Sequence, residues 1–465
     1  MSGVGEQVDV VVVGLGPGGE HVATRLARAG LRVVAVDRHL VGGECPYYGC
    51  IPSKMMIRGA DVLAEGRRVP DFAGAASVTS DWGPVHARIR DEATDDWDDT
   101  AAGDRLRSAG AVVVHGAARL AGPRTVEADG TTYTARTGVV LNTGTEPSAP
   151  PIDGLAGTPY WTNRDACRAA ELPGSLLVLG GGAIGAELAQ VFARFGVQVT
   201  VLEAAGRILA PEEPESSALL TTVFEREGIA VRTGAKVTGV SYADDQFAVD
   251  VDGTTLHADR LLVAAGRRPA LADLGLETVG LDPSARTVEV DERLRAGDGL
   301  WAIGDITGKG AFTHMSMYQA AIAVRDILGE DGPGAAYHAV PHVTFTDPEV
   351  GSVGMTEQQA RDAGLRVRVG TTDLGASTRG WIHRAEGLVK LVEDADRGVL
   401  VGASSVGPMG GEVLSMLVTA VHAEVTTATL RSMIYAYPTF HRAVESALAD
   451  LSDRPEGADA DETTG

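Results

Sequence analysis

Cysteine is scarce in this 465-residue chain, basic residues are outnumbered, and long apolar runs are missing. Three cysteines are too few to staple a secreted disulfide scaffold, and in a reducing cytosol any disulfide they form is expected to be transient and catalytic. Forty Lys and Arg against 63 Asp and Glu leave a formal charge of −23, which opposes binding to nucleic acid or to an anionic membrane surface. No segment has about 18 uninterrupted apolar residues, so no membrane span is expected. The first residues pass almost directly into Val8-Asp9-Val10-Val11-Val12-Val13, without the basic region and cleavage site of a signal peptide. A cytoplasmic protein is expected.

Glycine, by contrast, is abundant. Its 59 copies point to several tight nucleotide-binding turns, and the length predicts about three domains at roughly 150 residues each. Residues 8–13 read as a buried strand, 14–19 as a glycine-rich turn, 20–29 as a helix and 31–37 as a second strand. The same βαβ order returns at 175–179, 180–185, 186–195 and 197–203. A helical region is expected over 53–103, then short strands near 111–114, 139–141, 260–265 and 300–303. Beyond about residue 340, strands at 343–345, 387–392 and 398–406 and helices at 356–363 and 409–422 predict a third domain. The polar, acidic stretch from Ser452 onward has no apolar periodicity and reads as a disordered tail.

Gly14-Leu15-Gly16-Pro17-Gly18-Gly19 fits the pattern G-x-G-x-x-G between a strand and a helix, and Asp37 ends the next strand. Gly14 permits the turn, Gly16 lets backbone approach a pyrophosphate at the helix N-terminus, Gly19 packs helix on strand, and Asp37 can accept a ribose hydroxyl. Gly180, Gly182 and Gly185 repeat the arrangement with Glu203 in the acidic position. A carboxylate there favours the free 2′-hydroxyl of NADH, while Arg207 nearby leaves NADPH open.

Cys45 and Cys50 flank Pro46-Tyr47-Tyr48-Gly49, and Lys54 follows. On an ideal helix, residues five apart are separated by roughly 7.5 Å of rise, so their sulfurs meet only where the turn is distorted; Pro46 and Gly49 make distortion plausible. A helix starting here aims its positive end at the sulfurs and lowers a thiolate's pKa, with Lys54 on the face of Cys50. Cys167, alone in a helix-like stretch, reads as a buried structural thiol.

Together with Asn142-Thr143-Gly144-Thr145, Ala265-Gly266-Arg267-Arg268-Pro269, Ala302-Ile303-Gly304-Asp305 and Thr346-Asp347-Pro348-Glu349-Val350-Gly351, these motifs resemble the class I pyridine nucleotide-disulfide oxidoreductases. Dihydrolipoamide dehydrogenase, glutathione reductase, mycothione reductase and mercuric reductase belong to that family, and the resemblance covers roughly residues 8–450. It implies an α/β fold with two Rossmann-like dinucleotide-binding domains and a C-terminal α+β dimerisation domain. The implied boundaries are 1–150 and 276–335 for FAD, 151–275 for NAD(P), 336–451 for the homodimer interface and 452–465 for the tail. It also implies that Gly304 and Asp305 hold the ribityl chain, that Gly116, Thr143, Gly144 and Gly266 belong to the nucleotide sites, and that Lys54 pairs with Glu187 beside the flavin. Cys45 becomes the thiol that attacks a small-molecule acceptor and Cys50 the thiolate facing the flavin.

The resemblance breaks near the C-terminus. Many disulfide-reducing members carry a His-Pro-Thr-x-x-Glu-like segment as acid and orienting carboxylate; here Tyr437-Pro438-Thr439-Phe440-His441-Arg442 stands there. A tyrosine with a pKa near ~10 is a poor proton shuttle where histidine's ~6.5 is matched to neutral pH. Tyr437 and His441 are the candidates to fill the role, and the Tyr437-Pro438 bond is a candidate cis peptide. Mercuric reductases also carry tyrosine at that position, but they rely on a further C-terminal cysteine pair, and no cysteine follows Cys167. No metal site is expected. Glu44 replaces a common threonine, and Tyr47 and Tyr48 are open to two readings, stacking on a flat substrate or packing against the flavin. The leading expectation is an FAD-dependent NAD(P)H oxidoreductase acting on a disulfide without the usual pair. The alternative is a reductase of quinones, metal ions or other acceptors, or a dithiol oxidase; a non-catalytic redox sensor is the reading from a different class.

Overall fold

Val10 and Val12 turn to one side of their strand and Val11 and Val13 to the other, and all four are buried in two different cores. That is why this strand is a continuous apolar run rather than an alternating one: a parallel sheet covered on both faces offers no solvated side. The computed structural model describes residues 5–451, so the expected acidic tail at 452–465 lies outside the described residues. The chain divides into two compact units, one of residues 5–174, 241–247 and 259–336, the other of 175–240, 248–258 and 337–451.

In the first unit, Glu6–Val13 lies between Thr131–Leu141 and Val33–Asp37, all parallel, with Val112–His115 beyond Val33–Asp37 and Leu300–Ala302 beyond Thr131–Leu141. Helix α1 (Pro17–Arg28) starts at Pro17 and lays Val22 and Leu26 on the core of Val10 and Val12. Its N-cap, Gly16, offers no side-chain hydrogen bond, which leaves the first N–H groups of the helix directed at the glycine turn. Further along come α2 (Glu44–Tyr48), α3 (Cys50–Phe72), α4 (Asn163–Arg168) and α5 (Thr313–Leu328). The helix expected over 53–103 is interrupted: α3 ends at Phe72, a short helix spans Gly83–Arg88, a π-helical turn covers Ile89–Ala93, and Thr100–Ser108 is separate.

In the second unit, Ser175–Leu179, Gln198–Leu202 and Ala230–Arg232 form neighbouring parallel strands, and helix Ala183–Arg194 follows Gly182. The same unit holds an antiparallel sheet in the order Pro341–Thr344, Glu349–Gly354, Val399–Gly407, Leu388–Asp394, Val367–Asp373. Helices Gly410–His422 and Ala443–Ala449 bury Leu414, Leu417, Val444 and Leu448 against Val389 and Leu391 of that sheet. Two of its strands, Glu349–Gly354 and Val367–Asp373, are not expected from the sequence; Gly351, Gly354 and Gly370 dilute their apolar pattern, and pairing along the full length with neighbouring strands supports them. The α/β class with two Rossmann-like folds and a C-terminal α+β domain is the architecture of this chain.

Candidate functional site

The chain between the two cysteines is a broken helix. Cys45 lies in α2, Gly49 leaves helical geometry with φ −128° and ψ −114°, and Cys50 opens α3. None of the three cysteines is in a disulfide, and buried Cys167 donates its Sγ–H to the Tyr48 carbonyl at 3.6 Å. Cys50 Sγ sits 3.3 Å from Thr313 Oγ1 at the start of α5.

The two thiols are driven apart in acidity. The hydrogen bond between them lowers Cys50 to about 6, opposing its burial, with Thr313 and Lys54 contributing in the same direction. The same bond, followed by burial, pushes Cys45 up. One proton is therefore shared by the pair, held on Cys45 and donated to a Cys50 thiolate at the first turn of α3, where the helix favours negative charge. Lys54 donates to Ser53 Oγ at 3.3 Å.

Around this turn the structure joins Thr145, Arg267 and Asp305 of the recognised motifs to Asn163 and Arg164, which no local motif announces. Glu44, directly before Cys45, accepts from Arg164 Nε at 2.6 Å and Asn163 Nδ2 at 3.1 Å, and Arg267 lies 3.4 Å from it. Arg267 also donates to Thr145 Oγ1 and to the Thr145 carbonyl, both at 2.8 Å. Thr145 Oγ1 in turn donates to Asp305 Oδ2 at 2.7 Å. Burial raises the Asp305 carboxyl, against the pull of Thr145 and Arg267. A continuous polar chain thus runs from Asp305 to the residue beside Cys45. Tyr47 is buried, and the Tyr48 ring lies under Arg164 and Arg168 at 5.4 and 5.0 Å, so both rings of the pair are packed against protein.

The glycine turn of the first unit is shaped for a dinucleotide. A Cβ on Gly19 would run into the Gly14 carbonyl, and one on Gly14 into the backbone of Asn142 and Thr143. Asp37 accepts from Leu15 N at 2.6 Å and His39 N at 2.7 Å, and burial raises its carboxyl. The Thr143 hydroxyl is buried with no protein partner, a donor awaiting an acceptor. Gly144 has φ +66° and Gly304 has φ +77°, where a Cβ on Gly304 would meet the Asn142 amide. Gly116 donates its N–H to the Asp37 carbonyl, and the Gly266 carbonyl accepts from Ser148 N. Uncapped helix, tight glycines and an orphan hydroxyl together fit FAD.

The second unit repeats the cradle. Gly182 caps helix Ala183–Arg194 without a side-chain bond, and a Cβ on Gly185 would strike the Gly180 carbonyl. Glu203 accepts from Gly181 N and Ala205 N, both at 2.6 Å. Arg207 does not point outward: it donates to the carbonyls of Ala210 and Glu212 at 2.7 and 2.9 Å. Glu187 is buried and accepts from Phe345 N at 2.9 Å. The Tyr437-Pro438 peptide is cis. Tyr437 is 66% exposed, bonds Thr378 Oγ1 at 3.2 Å and carries the Arg442 guanidinium 5.4 Å over its ring. His441 packs beside Tyr435 at 6.3 Å. Among the described residues no cluster of three metal-ligating side chains is present, and no helix is long and apolar enough to cross a membrane.

Residues 8–325 match the family described as pyridine nucleotide-disulphide oxidoreductase, and 340–448 match its dimerisation domain. The chain is 35% identical to dihydrolipoyl dehydrogenase of Thermus scotoductus, covering 95% of this chain and 97% of that one. It is 33% identical to mercuric reductase of Streptomyces lividans, over 94% and 95%. Among solved structures, the HOCl-induced flavoprotein disulfide reductase RclA from Escherichia coli superposes with a TM-score of 0.82 at 29% identity, covering 95% and 99%.

Proposed function

The chain belongs to the pyridine nucleotide-disulphide oxidoreductase family as a flavin-dependent enzyme, and from that premise we propose that Cys45 and Cys50 carry electrons from NAD(P)H to a disulfide substrate without a histidine–glutamate pair. The observation that carries this reading is the broken turn at Gly49, which sets Cys45 in one helix and Cys50 at the start of the next with Thr313 Oγ1 3.3 Å from its sulfur, and the opposed acidity of the two thiols agrees with it. We assign residues 1–150 and 276–335 to FAD, 151–275 to the nicotinamide nucleotide and 336–451 to the homodimer interface. FAD, when bound, supplies two-electron exchange between the nicotinamide and the sulfurs.

Gly14, Gly16 and Gly19 leave room for the pyrophosphate, Asp37 and Thr143 offer hydrogen bonds, and Asp305 holds the ribityl chain. Lys54 and Glu187 are the residues that the family resemblance would assign to the flavin ring. On substrate, Cys45 Sγ attacks one sulfur and passes its proton to the Cys50 thiolate to which it is already bonded. The Cys45–substrate bond forms as the substrate disulfide breaks. Cys50 gives its proton to the leaving thiolate, attacks Cys45 Sγ and releases the second thiolate, closing the Cys45–Cys50 bond. The substrate gains the two electrons that the cysteine pair loses. Cys50 thereby takes the base role that the family resemblance gives to a histidine, and Tyr437 and His441 are the further residues we assign to the acceptor.

The coenzyme is NADH rather than NADPH. Glu203 presents a carboxylate at the ribose position, and Arg207 is committed to two carbonyls instead of a 2′-phosphate. A second reading, reduction of a quinone or metal ion, draws on exposed Tyr437 and its overlying Arg442, an aromatic and cationic pair unsuited to general acid catalysis. Cys45→Ser separates the two: on the leading reading it abolishes turnover of lipoamide while NADH still bleaches the flavin. Quinone turnover retained in a Cys45→Ser/Cys50→Ser variant, with no disulfide turnover by the parent, would replace the first reading by the second.

A further inference from the structure

We infer that Trp97 and Asn163 are positioning residues for the cysteine couple, holding the break between Cys45 and Cys50 by taking the carbonyls of Tyr47 and Tyr48. The inference rests on the reading of those cysteines as an exchanging pair.

Breaking the helix at Gly49 brings the sulfurs together, but it disturbs the backbone bonds on either side. The Tyr48 carbonyl cannot find a helical donor, because the residue four positions on is Pro52, which has no N–H. Asn163 Nδ2, on a buried side chain of α4, donates to that carbonyl at 2.7 Å, much closer than the Cys167 Sγ that also reaches it at 3.6 Å. Trp97 Nε1 donates to the Tyr47 carbonyl at 3.1 Å. Two consecutive carbonyls at the break are thus bonded by side chains 50 and 115 positions away.

Trp97 reaches its place through unusual backbone. Asp95, Asp96 and Trp97 have φ of +47°, +55° and +59°, three successive left-handed residues without a glycine, closely following the π-helical turn Ile89–Ala93. Such conformations persist where the surroundings over-determine them, and both features concentrate at working sites. Asp96 N donates to the Arg90 carbonyl at 2.7 Å, and Trp97 N to the buried Thr94 hydroxyl at 3.3 Å. Arg168 lies 4.9 Å over the Trp97 ring and 5.0 Å over the Tyr48 ring, tying the indole to the turn it holds.

The consequence is for the redox couple rather than for folding alone. Closing the disulfide removes two electrons and the one shared proton from Cys45 and Cys50; glutathione disulfide, the oxidant, takes the electrons, that proton and a second proton from solvent and yields two glutathione thiols. The equilibrium depends on how often the sulfurs meet in the dithiol state, and a turn pinned at both carbonyls raises that effective concentration. Loosening either pin leaves the disulfide less favoured and the couple more oxidising.

The test equilibrates the flavin-loaded dimer in glutathione buffers and counts disulfide by acid trapping and mass spectrometry. Trp97→Phe keeps an aromatic ring and loses the N–H; Asn163→Ala removes the shorter donor to the Tyr48 carbonyl, together with its bond to Glu44; Val126→Ala, a core truncation in the sheet of the same unit, lowers stability without touching either carbonyl. The expected result is a three- to tenfold lower disulfide constant for each of the first two, about 14–30 mV more positive, and no change for the third. Unchanged constants in both Trp97→Phe and Asn163→Ala, or an equal shift in Val126→Ala, overturn the inference. Cysteines of the parent that never bond in any buffer overturn the reading beneath it, and the inference with it.

Discussion

Arg164 Nε donates to Glu44 Oε1 at 2.6 Å, so the residue directly before Cys45 is anchored to a helix 120 positions further along the chain. Both side chains are partly buried, at 33% and 26% exposure, and Asn163 and Arg267 also bind the carboxylate. Glu44→Ala leaves two guanidiniums and an amide short of an acceptor. The expected cost is about 1.5–3 kcal/mol, the range for a charge-assisted bond broken on one side. Urea unfolding of the single variants, Arg164→Met and the double variant measures it, with a coupling of about 0.5–3 kcal/mol expected between the pair. Additive losses would mean that the contact contributes nothing of its own.

The split acidity of the cysteines sets a pH window. Cys50 titrates near 6 in the folded, reduced protein, whereas an unfolded thiol titrates near ~8.5. Its folded pKa is depressed, so its contribution to stability is lost as pH falls through 6 and grows between 6 and the ordinary thiol range. Above that range the trend reverses, because Cys45 keeps its proton while an unfolded thiol gives it up. The thiolate absorbance of the reduced protein, less that of Cys50→Ser, is expected to rise with a midpoint near 6. Cys45→Ala and Thr313→Val each move that midpoint upward, the first further, since the Cys45 bond is the larger cause. A midpoint in the ordinary thiol range in the parent protein is the outcome that defeats this assignment.

Coenzyme choice yields a prediction against a simple reading of Arg207. A basic residue four positions past Glu203 invites assignment to a 2′-phosphate, yet its NH2 group is used by the Ala210 and Glu212 carbonyls. Arg207→Ala is therefore expected to leave the NADH to NADPH ratio of kcat/KM within about threefold and to lower stability by roughly 1–3 kcal/mol through two unsatisfied carbonyls. Glu203→Ala moves the ratio toward NADPH by about tenfold, removing charge repulsion worth roughly 1.4 kcal/mol. Steady-state kinetics with both nucleotides decides it. A collapse of NADPH use in Arg207→Ala would reassign that side chain to the phosphate.

What is legible in the sequence is what is local. Gly14 to Gly19 and Gly180 to Gly185 stand in strand–turn–helix order within some thirty residues, and the cysteine spacing announces a distorted helix by itself. The residues that shape the cysteine turn are not legible. Trp97, Asn163 and Thr313 meet it from 50, 115 and 263 positions away, and an isolated tryptophan after a threonine and two aspartates carries no periodic signal. Strand Glu349–Gly354 escapes a reading of the sequence for a related reason. Its residues EVGSVG are weak strand formers alone, and they pair because Pro341–Thr344 and Val399–Gly407 flank them.

The C-terminal departure can be reversed to ask what it costs. By the family resemblance, Tyr437 and Arg442 stand where many disulfide-reducing members would carry histidine and glutamate, and a well-placed general acid contributes roughly 10²–10⁴-fold. Changing them removes the exposed Tyr437–Thr378 bond, the stack of Arg442 on Tyr437, the Arg442–Glu445 pair at 40% and 41% exposure, worth about 0.2–1 kcal/mol, and one part-buried bond from Arg442 Nη1 to the Tyr435 carbonyl at 3.3 Å. A Tyr437→His/Arg442→Glu variant should therefore fold and keep its flavin. If a disulfide is the natural acceptor and proton delivery limits its reduction, kcat with lipoamide rises at least about tenfold, and the pH profile acquires a limb near ~6.5, the range of the new imidazole. Quinone turnover, which needs no leaving thiolate protonated, stays level. Should neither rate nor pH profile respond in a well-folded variant, protonation of a leaving thiol is not the step that Tyr437 replaced. The exposed tyrosine and its guanidinium then belong to recognition of an acceptor that is not a disulfide.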